Sequence, residues 1–260
     1  MQTNTLLRKL AKYFPKRLKS PGDRVGLMTG KLKKETKTIV LCLDFDDQVM
    51  SYIKAKQMQN IDLILTHHPF LYQTRYRTFK SDENKKRLTE EIDALDIPVY
   101  SMHTNFDTGH RGMNDALAEA LLLENIKPLE NMPMARGGEV AKPIDVYEFS
   151  KLAAELLDVP YGLLTKAGKD MIKSVAIIGG GGSRYFDVAR LEGYDLYISG
   201  DAPHHVRRDV IAKKYNYLDL PHEIENIFLI RMKEILLEIN KDLNIIVIKH
   251  EVPPQLITAN

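Results

Sequence analysis

Short apolar runs that alternate with amphipathic stretches are the feature that most constrains the fold of this chain. Three runs in the first half have the length of buried strands: Thr38–Leu43, Ile61–Leu65 and Val99–Met102. Each is followed by a stretch with helical periodicity: Asp47–Met58, Glu83–Leu95 and Asn114–Leu122. This βαβαβα order predicts an α/β fold in which helices cover both faces of a parallel sheet.

The same alternation returns in the second half of the chain. The predicted strands are Ser174–Ile178, Tyr194–Ser199 and Tyr215–Leu220, and the predicted helices are Val146–Leu157, Tyr185–Glu192 and Glu223–Asn240. The stretch Ile61–Thr66 resembles Tyr194–Ser199, and a His-His pair follows each within a few residues. We therefore expect a degenerate duplication. Residues 1–130 would form the first lobe, with 221–260 returning to pack on it, and 131–220 the second.

Composition excludes several classes of protein. The 260 residues are 44% hydrophobic, and none of the apolar runs is long enough for a membrane-spanning helix. The net charge of +2 is far from what a dedicated nucleic-acid binder needs. The only cysteine is Cys42, which rules out a disulfide framework and favours a reducing cytoplasm.

The first 22 residues contain basic side chains and no acidic one, and their hydrophobic residues recur at helical spacing. An organelle presequence or a membrane-surface helix would have this composition. An ordinary amphipathic helix over Thr5–Tyr13, ending before Pro15, accounts for the pattern better.

Histidines concentrate where the predicted strands end. Six of the eight lie just after the carboxyl end of a strand: His67, His68, His103, His204, His205 and His222. Open parallel sheets bind their ligands at this edge. With Asp107 and Glu225 nearby in the sequence, the set offers nitrogen and oxygen ligands suited to Zn, Fe, Mn or Ni, in a number that indicates two metal ions. His110 and His250 are expected to be ordinary hydrogen-bonded residues.

A glycine run, Gly179–Gly182, follows the strand Ser174–Ile178. Its backbone N–H groups could approach a phosphate, which makes Gly180 and Gly181 candidates for substrate binding. A tight turn between strand and helix explains the same run, and the spacing fits neither the Walker loop nor the dinucleotide fingerprint.

Six short motifs follow one another along the chain: Asp23–Leu27, Cys42–Asp44, Thr66–Pro69, Tyr100–Asp107, Ile198–Asp201 and Pro221–Glu225. Their order resembles that of the Nif-three-like family, whose members are often described as GTP cyclohydrolase 1 type 2 homologues. The resemblance implies two similar, intertwined three-layer α/β/α lobes with mainly parallel sheets. It also implies a dinuclear metal site in the cleft between the lobes and a homohexameric ring. The length of the chain matches the short form, which has no inserted domain.

The resemblance also implies roles for individual residues. The family's metal ligands correspond to His67, His68, Asp107, His222 and Glu225, and two nearby histidine positions correspond to His103 and His205. Pro221 stands where members usually have glycine. Arg136 lies in a loose version of a glycine-rich family stretch, which makes it a further candidate for substrate binding.

These features predict a cytoplasmic dinuclear metalloprotein, most simply a metal-dependent hydrolase acting on a nucleotide or another phosphate-bearing small molecule. The cyclohydrolase activity is implied by resemblance alone. The alternative is a non-catalytic metal-binding scaffold or regulatory protein, in which protein ligands would close the metal site. A catalytic site would keep a position open for water.

Overall fold

The computed structural model describes residues 1–58 and 60–259. The chain divides into two compact α/β units. Unit 1 contains Met1–Gly112 and Phe228–His250, and unit 2 contains Met113–Ile227 and the segment from Glu251. Each unit is therefore built from two separate segments of the chain. Within the described residues, no helix combines the length and the hydrophobicity that crossing a membrane requires.

Unit 1 is a five-stranded sheet with helices. Its strands are β1 (Gly26–Thr29), β2 (Thr38–Cys42), β3 (Leu63–Thr66), β4 (Val99–Ser101) and β11 (Asn244–Val247), in the order β1-β4-β3-β2-β11. Its helices are α1 (Thr3–Tyr13), α2 (Asp47–Ala55), α3 (Arg75–Ser81), α4 (Glu83–Ala94), α5 (Thr104–Thr108) and α10 (Ile227–Ile239), with a 3₁₀ turn at Lys16–Leu18. The first residue of α10 falls in unit 2.

The central strands of unit 1 are parallel, as the sequence predicts. Strand β3 pairs with β2 on one side and with β4 on the other, and only β1 runs antiparallel. Val40, Ile64 and Val99 come from three adjacent strands and lie in one buried apolar cluster. Burial on both faces explains why these strands are continuous apolar runs rather than alternating ones.

Unit 2 is a six-stranded sheet with helices. Its strands are β5 (Glu124–Pro128), β6 (Arg136–Asp145), β7 (Leu163–Lys166), β8 (Met171–Ile177), β9 (Leu196–Ser199) and β10 (Asn216–Asp219), in the order β5-β6-β8-β9-β10-β7. Its helices are α6 (Met113–Ala120), α7 (Val146–Leu156), α8 (Phe186–Leu191) and α9 (His204–Ala212), with 3₁₀ turns at Ser183–Tyr185 and His222–Asn226. Strands β8, β9 and β10 are parallel, whereas β5, β6 and β7 pair antiparallel.

The structure differs from the sequence prediction in the edge strands and in the bounds of the lobes. The sequence analysis names no strand before Thr38, but Gly26–Thr29 form β1, which pairs with β4. Helix α6 and strand β5 are expected in the first lobe, but they belong to unit 2. Pairing of β5 with β6 explains this placement. Residues 221–227 and the segment from Glu251 also belong to unit 2.

Candidate metal centre

Three histidines of unit 1 converge at one edge of its sheet. His67 and His68 follow β3 directly, and His103 follows β4. The two strands are parallel neighbours, with Thr66 opposite Ser101, so their carboxyl ends meet at the same edge. One ligand atom from each of the three histidines lies within 4.8 Å of the others. This confirms that the topology brings these strand-end histidines together.

Hydrogen bonds fix the orientation of His67 and His68. His67 Nδ1 lies 2.9 Å from the carbonyl oxygen of Met102, and His68 Nδ1 lies 2.7 Å from Oδ2 of Asp44. A carbonyl or a carboxylate oxygen only accepts, so in each ring Nδ1 donates its hydrogen. In the neutral imidazole the lone pair is then on Nε2, which is the usual arrangement for histidines that bind metal.

His103 shows the same arrangement with a different carboxylate. Its Nδ1 lies 2.8 Å from Oδ1 of Asp23, and the backbone N–H of Thr104 donates to Oδ2 at 3.2 Å. Burial raises the pKa of Asp23, but these hydrogen bonds and the charge of His103 outweigh it and lower that pKa to about 2. Asp23 is therefore ionised at neutral pH and holds His103 with Nε2 directed away from it.

A carboxylate joins this group from the short helix α5. Asp107 Oδ1 lies 3.5 Å from Nε2 of His67, and His67 is completely buried. Two ligands that bind one ion at about 2.0–2.2 Å lie about 3.0–3.5 Å apart in tetrahedral or octahedral geometry. The separation of Asp107 and His67 thus fits two ligands of one metal ion.

In unit 2, the turn at His222–Asn226 brings a histidine and a glutamate together. His222 Nε2 lies 3.1 Å from Oε2 of Glu225, and His222 Nδ1 lies 2.6 Å from Oδ2 of Asp201. The sequence predicts a helix here with the two residues on one side. The turn is 3₁₀, in which residues three apart eclipse each other, so His222 and Glu225 come even closer together.

The imidazole of His222 lies between two carboxylates, those of Glu225 and Asp201, and they determine its pKa. The hydrogen bond to Glu225 and the charges of Glu225 and Asp201 raise the pKa of His222 to about 9, against the effect of burial. In the absence of metal, a proton therefore lies between His222 and Glu225 at neutral pH. Binding of a metal ion would replace this proton.

Gly180 contacts the ligand pair directly. Its φ is +61°, and a Cβ placed there would lie 2.3 Å from Oε1 of Glu225 and 3.1 Å from Cε1 of His222. Only glycine satisfies both the backbone conformation and the close approach. Gly181 is less constrained, because its Cβ would meet only Asp201 Oδ2, at 3.6 Å.

Two other residues that the sequence singles out have clear structural partners. Gly179 N donates to Oδ1 of Asn114 at 2.8 Å, which joins the glycine turn to α6. Arg136 is 3% exposed. Its guanidinium binds Asp115 and donates to the carbonyl oxygens of Pro133 at 2.8 Å and Met134 at 3.1 Å. These contacts give Arg136 a structural role.

The remaining histidines lie outside the ligand clusters. His204 and His205 begin α9 and are exposed, and neither belongs to a cluster of three potential metal ligands among the described residues. His110 is exposed. His250 Nε2 lies 3.0 Å from Oδ2 of Asp46, the residue that caps α2. Neither His110 nor His250 belongs to a group of three potential metal ligands among the described residues.

The donor set fits divalent transition metals. Imidazole nitrogens and carboxylate oxygens suit Zn, Fe, Mn and Ni, whereas Mg and Ca prefer oxygen ligands alone. Carboxylates or a carbonyl on the opposite ring nitrogen are the outer partners that such histidines usually have. Sequence analysis did not assign this outer role to Asp23, Asp44 or Asp201. Asp44 and Asp201 do follow strands β2 and β9, so the strand-end rule that finds the histidines would also have found them.

Comparison with known protein families identifies the family of this chain. The model of the Duf34/NIF3 (NGG1p interacting factor 3) family matches residues 1–254. The chain belongs to this family. That match confirms the resemblance on which the candidate ligands rest, and it extends over both units.

Individual relatives cover most of the chain. A Clostridium perfringens protein named "GTP cyclohydrolase 1 type 2 homolog" is 34% identical over 85% of this chain and 86% of its own length. A protein of the same name from Methanocaldococcus jannaschii is 31% identical over 95% of this chain and 98% of its own. A Bacillus cereus protein related to NIF3 has the same fold, with a TM-score of 0.87, 19% identity and 99% coverage of both chains.

Proposed function

We propose that this protein binds two divalent transition-metal ions, Zn, Fe, Mn or Ni. The proposed ligands are His67, His68, Asp107, His222 and Glu225, and His103 lies close enough to the first two to act with them. One observation carries this proposal. All four histidines of the two clusters have Nδ1 bound to an oxygen, which leaves Nε2 to a metal ion.

We further propose that the protein is a metal-dependent hydrolase. Two such ions, when bound, supply Lewis acidity and a water of lowered pKa, which is the chemistry that hydrolysis needs. The chain's own contribution is orientation: Asp44 holds His68, Asp23 holds His103 and Asp201 holds His222. A nucleotide or another phosphate-bearing small molecule is the proposed substrate class, and the name of the curated relatives supports it.

Exposure of the ligands favours catalysis over a purely structural role. His67 and Glu225 are buried, but His68, His103 and His222 keep 12%, 21% and 37% of their side-chain surface exposed. Structural metal sites are usually closed by protein. Partial exposure supports a site that water and substrate reach, and so disfavours the scaffold alternative.

Metal analysis tests the first proposal. We expect about two equivalents of metal per chain after gentle purification or after incubation with Zn, Mn or Fe. Asp107→Ala should lose metal, whereas His110→Ala should retain it, because only Asp107 lies against a candidate ligand. Equal metal content in the two variants, or less than one equivalent in the unaltered protein, would overturn the assignment.

A hydrolysis assay tests the second proposal. The metal-loaded protein is incubated with nucleotides and phosphate esters, and product formation is measured before and after chelation. We expect chelation to abolish turnover and added metal to restore it. Turnover that persists in the double variant His68→Ala, Glu225→Ala would show that the activity belongs elsewhere. Absence of turnover with every metal would favour the scaffold.

Assembly and location complete the proposal. The resemblance supports a homo-oligomer, most simply six chains, in the cytoplasm. Exposed apolar residues such as Leu122, Leu191 and Ile230 offer surface that association would bury. Light scattering at low micromolar concentration should give a mass well above that of one chain, 29.7 kDa.

A further inference from the structure

A cavity in unit 2 lies beside the candidate metal ligand His222. Its volume is about 270 Å³, and its polar lining includes Arg207, Asp219 and Glu223. This volume equals that of roughly nine water molecules in the liquid, which is enough for a single substituted ring. Tyr161, Leu163 and Pro221 supply apolar surface to the same cavity. A flat ring with polar substituents matches such a lining.

Glu223 is the residue in this cavity whose charge has no partner. Its Oε2 is buried, and the carboxylate makes no hydrogen bond or ion pair to any other described residue. Leaving a carboxylate oxygen without water or a donor costs free energy. The position therefore favours a ligand that donates hydrogen bonds.

The other charges of the cavity have ionic partners within unit 2, although Arg207 Nε is itself buried without a hydrogen-bond acceptor among the described residues. Arg207 Nη2 donates to the carbonyl oxygen of Ala202 at 2.9 Å and lies 3.7 Å from Oδ2 of Asp219. Asp219 also accepts from the backbone N–H of Ala202. Asp201 is bound to His222. Arg207 is thus paired with Asp219, and Asp201 with His222. The charge in the cavity lining that has no opposite charge beside it among the described residues is that of Glu223.

We propose that this cavity binds an amine-bearing or amidine-bearing ring of the substrate, and that Glu223 accepts hydrogen bonds from its nitrogen substituent. This inference rests on the proposed function, because His222 places the cavity beside the metal ligands. It makes Glu223 a specificity-determining residue. It also assigns the phosphate of a phosphate-bearing substrate to a different part of the site, since the cavity carries excess negative charge.

Three probes of nearly equal size and shape test the proposal: benzamidine, benzamide and benzoate. They are titrated separately into the full-length protein by calorimetry, with bound metal and again after chelation. We expect benzamidine to bind at least tenfold more tightly than benzoate, with benzamide between them. Tighter binding of benzoate after chelation, when no metal ion can bind its carboxylate, would show that Arg207 makes this an anion pocket and would overturn the proposal. Failure of benzamidine to bind would overturn it too.

Variants locate the binding. Glu223→Gln should weaken benzamidine at least tenfold, whereas Glu124→Gln, at an exposed position on β5, should leave it unchanged. Leu163→Arg provides a second test should Glu223→Gln fail to fold: Leu163 is 40% exposed, and a cation there should repel benzamidine. Equal affinities in a folded Glu223→Gln variant and the unaltered protein would refute the role of Glu223.

The two metal states separate this inference from the proposed function. Benzamidine binding by a protein that takes up no metal would uphold the cavity and refute the metal centre. A protein that binds two metal ions but no benzamidine would uphold the metal centre and refute the cavity proposal.

Discussion

Replacing Gly180 with alanine tests whether the glycine turn is present to accommodate Glu225. At φ +61° an alanine carries the backbone cost of the left-handed region, roughly 1–2 kcal/mol. Its Cβ would also lie 2.3 Å from Oε1 of Glu225. The carboxylate must retreat by about 1 Å to reach an ordinary contact distance. Glu225 is 4% exposed, so the retreat is confined by its neighbours.

The displacement predicts a defined loss of metal affinity. Metal ligands hold their distances to within about 0.2 Å, so a movement of about 1 Å removes Glu225 as an effective ligand. We expect metal to bind at least tenfold more weakly at the position that uses Glu225, which corresponds to about 1.4 kcal/mol.

Two glycines serve as controls. Gly193 has φ +88° with nothing within 4 Å of its Cβ position, so Gly193→Ala reproduces the backbone cost without the contact. Gly181→Ala places a methyl group in the same turn at an ordinary distance, 3.6 Å, from Asp201. Metal affinity is measured by competition with a fluorescent chelator, and the unfolding midpoint by urea titration.

The variants should separate stability from metal binding. We expect Gly180→Ala and Gly193→Ala to lower the unfolding midpoint of the metal-free protein similarly, and only Gly180→Ala to weaken metal binding. Equal metal affinities for these two variants would refute the argument, because the contact with Glu225 would then have no consequence. Loss of affinity in Gly193→Ala would refute it as well.

Three further predictions concern the outer carboxylate Asp44, the buried carboxylate Asp195 and the metal. Asp44→Asn keeps an acceptor for His68 but removes the charge, so it should weaken metal binding about tenfold in a chelator competition, whereas Asp47→Asn should not. Asp195 accepts from Lys169 Nζ and Lys173 N, and despite burial these bonds lower its pKa. Its stabilising contribution, about 1–2 kcal/mol, is therefore complete above the unfolded pKa near 4 and is lost as the pH falls through the lower folded value. Urea midpoints of Asp195→Asn and the unaltered protein should accordingly differ at pH 6 and converge as the pH falls below the folded pKa of Asp195. Finally, bound metal should raise the unfolding midpoint, and a chelator should reverse this; identical midpoints would contradict a metal site in the folded protein.

The fold is predictable from the sequence where a strand is buried on both of its faces. Strands β3 and β9 are buried at every position, so each is an unbroken apolar run that the sequence analysis finds. Strands β5 and β7 are exposed at most or half of their positions. Their residues alternate in no regular way, and pairing with a neighbour is what makes them strands.

The candidate site is likewise predictable from the sequence only in part. The rule that strand ends bind ligands finds His67, His68, His103 and His222. It also selects His204 and His205, which begin α9, are exposed and join no group of three potential metal ligands among the described residues. The same rule would place Asp44 and Asp201 at strand ends, but it does not pair a carboxylate with its histidine: Asp23 lies 80 residues before His103, and Asp201 lies 21 before His222. No local spacing relates such residues, and only the folded chain brings them together.

The carboxylates around these histidines are the charges that a divalent ion would meet. In unit 1, Asp23, Asp44 and Asp107 lie within 3.5 Å of His103, His68 and His67. In unit 2, Asp201 and Glu225 both lie within 3.5 Å of His222. Each group therefore presents more than one negative charge beside its imidazoles, and burying such charges without a cation is costly. This supports the proposal of two divalent ions.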